Sequence, residues 1–294
     1  MPRDLDLLYT VGRFRLATTS QLRLLFFGSA HTARDRIAKL REAGFLKTLV
    51  RGLADEALHA LTPRGRTLLV EEREIDPGDI ALSRSIPSHA AHFIRTNDVR
   101  AALVVGLRQQ PGLSLVSFTP EWALGDAEMR KRVELVPDAL VVIDTPAGEI
   151  TLAVEVDLGT EPPNYVARRK LATYDRLIAS GTGVFGVIPG RVAVLAPGLR
   201  RLRHLAGAIR EAGTGAVARL GDLDDPEARS LLAPSFAPAT ALAELKGGEL
   251  AASLTHPLHP ALVIPPYGLP LPQGEAARRN TAGIQGSPTR PCAE

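Results

Sequence analysis

Over the first 73 residues the apolar positions recur every three or four residues, the spacing of amphipathic helices. Asp4 to Val11 carries leucines at 5, 7 and 8. The capping run Thr18-Thr19-Ser20-Gln21 opens a second helix that ends near Phe27-Gly28. Ser29 caps a third, Ala30 to Ala43, whose inner stripe is Ala33, Ile37, Leu40 and Ala43 and whose stop is Gly44. Its outer face offers His31, Thr32, Arg34, Arg36, Lys39 and Arg41. Two short strands follow, Phe45 to Arg51 and Ala57 to Leu61, and Thr62-Pro63-Arg64-Gly65-Arg66 begins a fourth helix.

Further along the period shortens and lengthens again. Residues 74–88 read as a linker, and His89 to Gln109 as a long helix closed by Pro111-Gly112. Leu113 to Phe118 is a strand. Val136 to Ile143 and Ile150 to Asp157 are two more, joined by the turn chemistry of Thr145-Pro146-Ala147-Gly148. A helix from Pro163 to Ala179 places Leu171, Leu177 and Ile178 inward and sets Lys170 and Tyr174, four apart, on one face. Strand Arg191 to Leu195 and a basic helix, Leu199 to Glu211, complete the unit. From Asp225 prolines and glycines multiply, predicting a mostly disordered tail with a short helix near 239–252. The expected division is 1–73, 74–88, 89–224 and 225–294.

The candidate chemistry lies in the paired strands. Asp138 starts one, and Glu155 and Asp157 end the next, so the implied hairpin brings three carboxylates to one sheet edge. Such a trio repels itself unless a hard cation sits within it, and Mg²⁺ or Mn²⁺ with oxygen ligands suits that role. A solvated antiparallel hairpin with functionless acids explains the same residues more plainly. Glu121, after the preceding strand, and His92, on the long helix, are accessory candidates; packing or capping is the ordinary use of such a histidine.

Composition narrows the classes. The single cysteine, Cys292, excludes an internal disulfide framework and a cysteine-based zinc site. Neither a signal sequence nor an uncharged run of membrane-spanning length is legible, so a cytoplasmic location is expected. Residues 1–73 carry 13 Lys and Arg against 8 Asp and Glu, whereas the remainder is slightly acidic. A basic first unit suits a polyanionic partner. No phosphate loop, dinucleotide glycine motif or serine triad is present.

Three helices, a two-stranded wing and a closing helix resemble the winged helix-turn-helix, with Ala-Gly-Phe-Leu at 43–46 and Leu-Thr-Pro-Arg-Gly at 61–65 as the matching residues. The resemblance implies that helix 30–43 enters the major groove of double-stranded DNA through Thr32, Arg34, Arg36, Lys39 and Arg41, with Arg51 of the wing reaching phosphate. The order α, β, β, β, α, β, α, with Pro137-Asp138 and Glu155-x-Asp157, looks like the PD-(D/E)xK nuclease fold, a restriction-endonuclease-like α/β core. That likeness implies Mg²⁺ held by Asp138 and Glu155 with Asp157 adjacent. The lysine expected two residues after the glutamate is replaced by Asp157, and Lys170 (or Arg169) on the next helix could serve instead.

The whole assembly resembles the replication-relaxation family of plasmid and mobile-element proteins over about residues 4–220. The features that carry this are the winged-helix region, His92-Phe93-Ile94-Arg95-Thr96-Asn97-Asp98, Pro137-Asp138, Glu155-Val156-Asp157-Leu158-Gly159-Thr160-Glu161, and Lys170 ahead of Tyr174. It implies a role in plasmid replication or mobilisation. Two readings follow: a Mg²⁺-dependent endonuclease, with Asp138, Glu155 and Lys170 catalytic, or a non-catalytic factor that recruits a relaxase or replication initiator. A plain transcriptional regulator is a third, and a homodimer is one candidate assembly for this chain.

Overall fold

The computed structural model describes residues 2–224 except 51, 53, 54 and 147. Arg51 and the expected tail at 225–294 lie outside the described residues. The described residues form a mixed α+β structure with two sheets.

The first unit comprises α1 (Pro2–Phe14), β1 (Ala17–Thr18), α2 (Thr19–Phe26), α3 (Ala30–Glu42), β2 (Leu46–Leu49), β3 (Leu58–Leu61) and α4 (Pro63–Arg73). Its core joins Leu7, Leu8 and Val11 to Leu22, Ile37, Leu40 and Leu61. The two-residue β1, too short to announce itself in the sequence, pairs with β3 and makes the sheet three-stranded, in the order β1-β3-β2. The α2 cap is reciprocal: Thr18 Oγ1 accepts from Gln21 N–H while Gln21 Oε1 accepts from Thr18 N–H, each at 3.0 Å.

Two glycines in this unit answer to geometry. Gly44 takes φ +76° at the end of α3, a left-handed conformation that suits glycine. A Cβ on Gly65 would meet Phe45 O at 2.4 Å, so α4 approaches the β2 entry only because residue 65 has no side chain. Thr62 ties the two together. Its Oγ1 donates to Gly44 O at 2.7 Å and accepts from Gly65 N–H at 3.1 Å.

The stretch 74–88 departs from a free linker. Pro77–Asp79 forms a 3₁₀ turn, Ile80 is buried against Gly12, and Ala81 N–H donates to Gly12 O at 3.1 Å. An apolar residue within a polar stretch found a core to enter.

The long helix α5 (Ala90–Arg108) joins the units because it is apolar on two sides. Ala101, Val104 and Val105 meet the first core, and Val99, Leu103 and Leu107 meet the large sheet. Polar links reinforce the first contact. Asn97 Nδ2 donates to Phe14 O and Leu16 O at 3.1 and 2.8 Å, and Gln21 Nε2 donates to Ile94 O and Asp98 Oδ1 at 3.0 and 2.9 Å. The Arg100 guanidinium lies over the Phe14 and Phe118 rings, one from each unit.

The second sheet has the order β4-β5-β6-β7-β8, from β4 (Ser114–Pro120), β5 (Ala139–Thr145), β6 (Gly148–Val156), β7 (Arg191–Ala196) and β8 (Ala218–Asp222). β4, β5 and β6 are antiparallel neighbours, whereas β6, β7 and β8 run parallel. A short α6 (Ala127–Arg132) precedes β5. The second sheet face is covered by α7 (Pro163–Tyr165), a π-helical turn (Val166–Leu171), α8 (Ala172–Ala179) and α9 (Gly198–Ala212). β8 and α6 are additions to the order read from sequence; β8 is a five-residue strand, Ala-Arg-Leu-Gly-Asp, with weak β signal of its own.

Candidate functional site

The β5–β6 register places Ala139 opposite Val154, which sets Asp138 and Glu155 side by side where the hairpin meets the sheet end. Here the chain must leave the ladder, and side chains take over backbone duties. Asp138 N–H donates to Val154 O at 3.0 Å, and Asp138 Oδ2 accepts from Val156 N–H at 2.6 Å. Glu121 N–H donates to Asp138 O at 2.9 Å, so the residue after β4 joins the same edge.

Glu155 points under the π-helical turn and is only 3% exposed. Both its oxygens are bonded. Tyr174 OH donates to Oε1 at 2.6 Å and Lys170 Nζ to Oε2 at 3.1 Å. Lys170 also pairs with Glu161 Oε2 at 3.1 Å. A π turn holds one more residue than an α turn and often marks a functional position; here it carries Lys170 over the buried acid.

Electrostatics follow the burial. Desolvation, then repulsion from Asp138, raises the Glu155 carboxyl to about 7, against the opposing pull of Lys170 and the Tyr174 hydrogen bond. Burial by itself would lower Lys170, but Glu155, Glu161 and Asp138 outweigh it and hold the ammonium above its ordinary range. The Tyr174 hydroxyl is raised by burial and by the adjacent Glu155 charge, so it remains a donor.

His92 reaches the same edge from α5. Its Nε2 lies 2.9 Å from Val156 O and 3.2 Å from Asp138 Oδ2. The carbonyl can only accept, so Nε2 carries the proton. The hydrogen bond to Asp138 raises the imidazole pKa, burial opposes it, and the Glu121 charge adds to the rise. His92 is therefore a site-edge residue rather than a packing one.

Asp157 is turned to other partners. Arg201 Nε donates to its Oδ2 at 2.7 Å and Gly159 N–H to its Oδ1 at 2.7 Å; the Arg201 guanidinium also meets Glu161 O. In the sequence Arg201 is one of four arginines on the basic helix, with nothing to single it out.

These contacts bear on a cation. Mg²⁺ needs free carboxylate oxygens near 2.1 Å in octahedral array. Glu155 and Asp157 have both oxygens bonded within the protein, and among the described residues no group of three acidic, histidine or cysteine side chains is disposed to hold a metal. The donor set in this arrangement does not fit the ion.

On α3 the outward residues divide. Thr32, Arg34, Lys39 and Arg41 are exposed. Arg36 instead turns back to α1, donating Nε to Asp4 Oδ1 at 2.5 Å with a second bond from its terminal nitrogen to Oδ2. That hydrogen bond holds the Asp4 carboxyl below its usual range, against burial. Arg34, Lys39 and Arg41 have no carboxylate partner among the described residues. Arg51 lies outside them.

The described residues thus form a mixed α+β structure with two sheets, a basic helix beside the smaller one and an acidic cluster paired from within at an end of the larger. A family model described as replication-relaxation matches residues 8–190, and the chain belongs to that family. Membership points to a role in plasmid or mobile-element replication or mobilisation. Searches of curated proteins and of solved structures gave no match. Among the described residues no helix is long and apolar enough to cross a membrane.

Proposed function

We propose that this protein docks on double-stranded DNA through its first unit and serves plasmid or mobile-element replication or mobilisation as a recruiting factor for a relaxase or replication initiator. The observation that carries the reading is the row of Arg34, Lys39 and Arg41, exposed on α3 without acidic partners. Helix order, the short sheet and the α4 closure support a winged helix-turn-helix reading, in which α3 would lie in the major groove. In this reading the second unit supplies the surface for the recruited enzyme. Its acids are neutralised from within, which suits a scaffold better than a cleavage site.

A second reading, a Mg²⁺-dependent endonuclease, is favoured by one contact. Lys170 meets Glu155 beside Asp138, so the sheet end regains the lysine that the Glu-x-Asp sequence lacks. That reading requires Asp138 and Glu155 to be the ligands, and so requires Lys170 and Tyr174 first to release Glu155. Lys170 would then stabilise charge on the scissile phosphate.

The experiment is paired. Labelled duplexes in a salt series test docking, and supercoiled plasmid with and without Mg²⁺ or Mn²⁺ tests cleavage. Binding with unchanged plasmid is the expected result. Metal-dependent nicking that disappears in Asp138→Asn and Lys170→Ala would move the function to the endonuclease, and loss-free binding after Arg34→Ala and Lys39→Ala together would overturn docking by α3.

A further inference from the structure

Between the two units lies a cleft of about 190 Å³ that the docking helix does not use. Arg15, from the end of α1, and His89, His92, Glu121, Trp122 and Asp138 of the second unit line it. Two of these have unusual standing. Arg15 takes φ +63°, a left-handed conformation that disfavours a residue with a Cβ. Its guanidinium lies 5.3 Å from the centre of the Trp122 ring and donates to no acceptor among the described residues. Trp122 sits in the 3₁₀ turn Glu121–Ala123, held by the Glu121–Asp138 backbone bond, and remains half-buried with its indole N–H unbonded among the described residues.

A strained arginine with unused donors, an accessible indole and two histidines are the parts of a nucleotide subsite. The aromatic face takes a base, and the guanidinium takes its phosphate. Duplex DNA keeps its bases stacked inside, so this cleft selects an unpaired strand.

We infer that the inter-unit cleft binds a nucleotide of single-stranded DNA, with its base against Trp122 and its phosphate at Arg15. The inference rests on the reading of this chain as a DNA-binding protein but uses a different surface from α3. A duplex docked on the first unit and an opened strand in the cleft would suit a protein that works where an origin melts.

Trp122 is the only tryptophan in the chain, so its emission reports on this site alone. The full chain is titrated with a short oligothymidylate and, separately, with a duplex. Quenching by the single strand but not by the duplex is expected. Arg15→Gly removes the guanidinium at a backbone conformation that glycine adopts freely; it should weaken oligothymidylate binding about tenfold and lower its log–log salt slope by about 0.7. Trp122→Ala, followed by anisotropy of a labelled oligothymidylate, should cost roughly five- to a hundredfold. Duplex affinity should stay unchanged in both variants, which also reports that they fold. Duplex binding with no quenching by the oligothymidylate, or oligothymidylate affinity unmoved by both substitutions, overturns the cleft assignment and leaves docking by α3 intact. Quenching in a protein whose duplex affinity ignores Arg34 and Lys39 retains the cleft and overturns docking.

Discussion

Lys170 Nζ stands 3.1 Å from Glu155 Oε2, joining a helical side chain to a buried strand end fifteen residues earlier. The contact compensates the acid only in part, because burial and Asp138 still raise Glu155 to about 7. A carboxyl whose folded pKa exceeds its unfolded value favours the fold most when protonated. Its contribution is full below about 4.5 and is lost as pH rises through about 7. Glu155→Gln mimics the protonated state, and should raise thermal stability at pH 8 by an amount worth roughly 3 kcal/mol at most, with little change at pH 4.5. Equal melting temperatures for both proteins at pH 8 would show that Lys170 and Tyr174 compensate the charge fully.

His59 slopes the other way. It is 5% exposed, with Nε2 2.9 Å from Thr19 Oγ1, and burial followed by the Arg41 charge lowers it to about 4. Its contribution is present above the unfolded value near 6.5 and is lost as pH falls through about 4. Between about 4.5 and 6.5 the two residues oppose each other and should flatten the stability curve. In Glu155→Gln the histidine acts unopposed, so denaturant midpoints should rise with pH across that window; a flat profile there would count against a neutral His59.

Arg34 and Arg36 lie two residues apart on α3 yet should give different phenotypes. Arg36→Ala removes the paired bonds to Asp4 and should cost about 1 kcal/mol of stability, discounted for partial exposure. Arg34→Ala should leave stability within about 0.5 kcal/mol and reduce the salt slope of duplex binding by about one. Matched unfolding and salt-titration series on both variants separate the roles.

Gly65→Ala would push a methyl group into Phe45 O and the Leu61 side chain. Overpacking of this kind costs about 1–3 kcal/mol. The carbonyl belongs to backbone that cannot rotate away, so the upper end is expected in denaturant unfolding. A neutral result would mean that α4 shifts freely on the sheet.

Local rules, read from the chain alone, were sufficient for most elements. Ser29 and Thr18 do cap α3 and α2, Gly44 does end α3, and Ala33, Ile37 and Leu40 of the expected stripe are buried, whereas Ala43, at the C-cap, is exposed. The gathering of Asp138, Glu155 and Lys170 at one sheet end was also legible, because strand alternation and helical spacing operate over a few residues. What side chains do at longer range was decided only by tertiary structure. Arg36 and Lys39 look alike in a helix wheel, but α1 happens to bring Asp4 to the former. Asp157 reads as a third ligand until α9 delivers Arg201 forty-four residues later. Ile80 looks like linker until Gly12 leaves room for it, and Arg15 meets Trp122 only because α5 fixes the two units together through contacts on both its faces. Periodicity and capping depend on neighbours along the chain, whereas the partner of a charge depends on which distant backbone the core packing brings beside it.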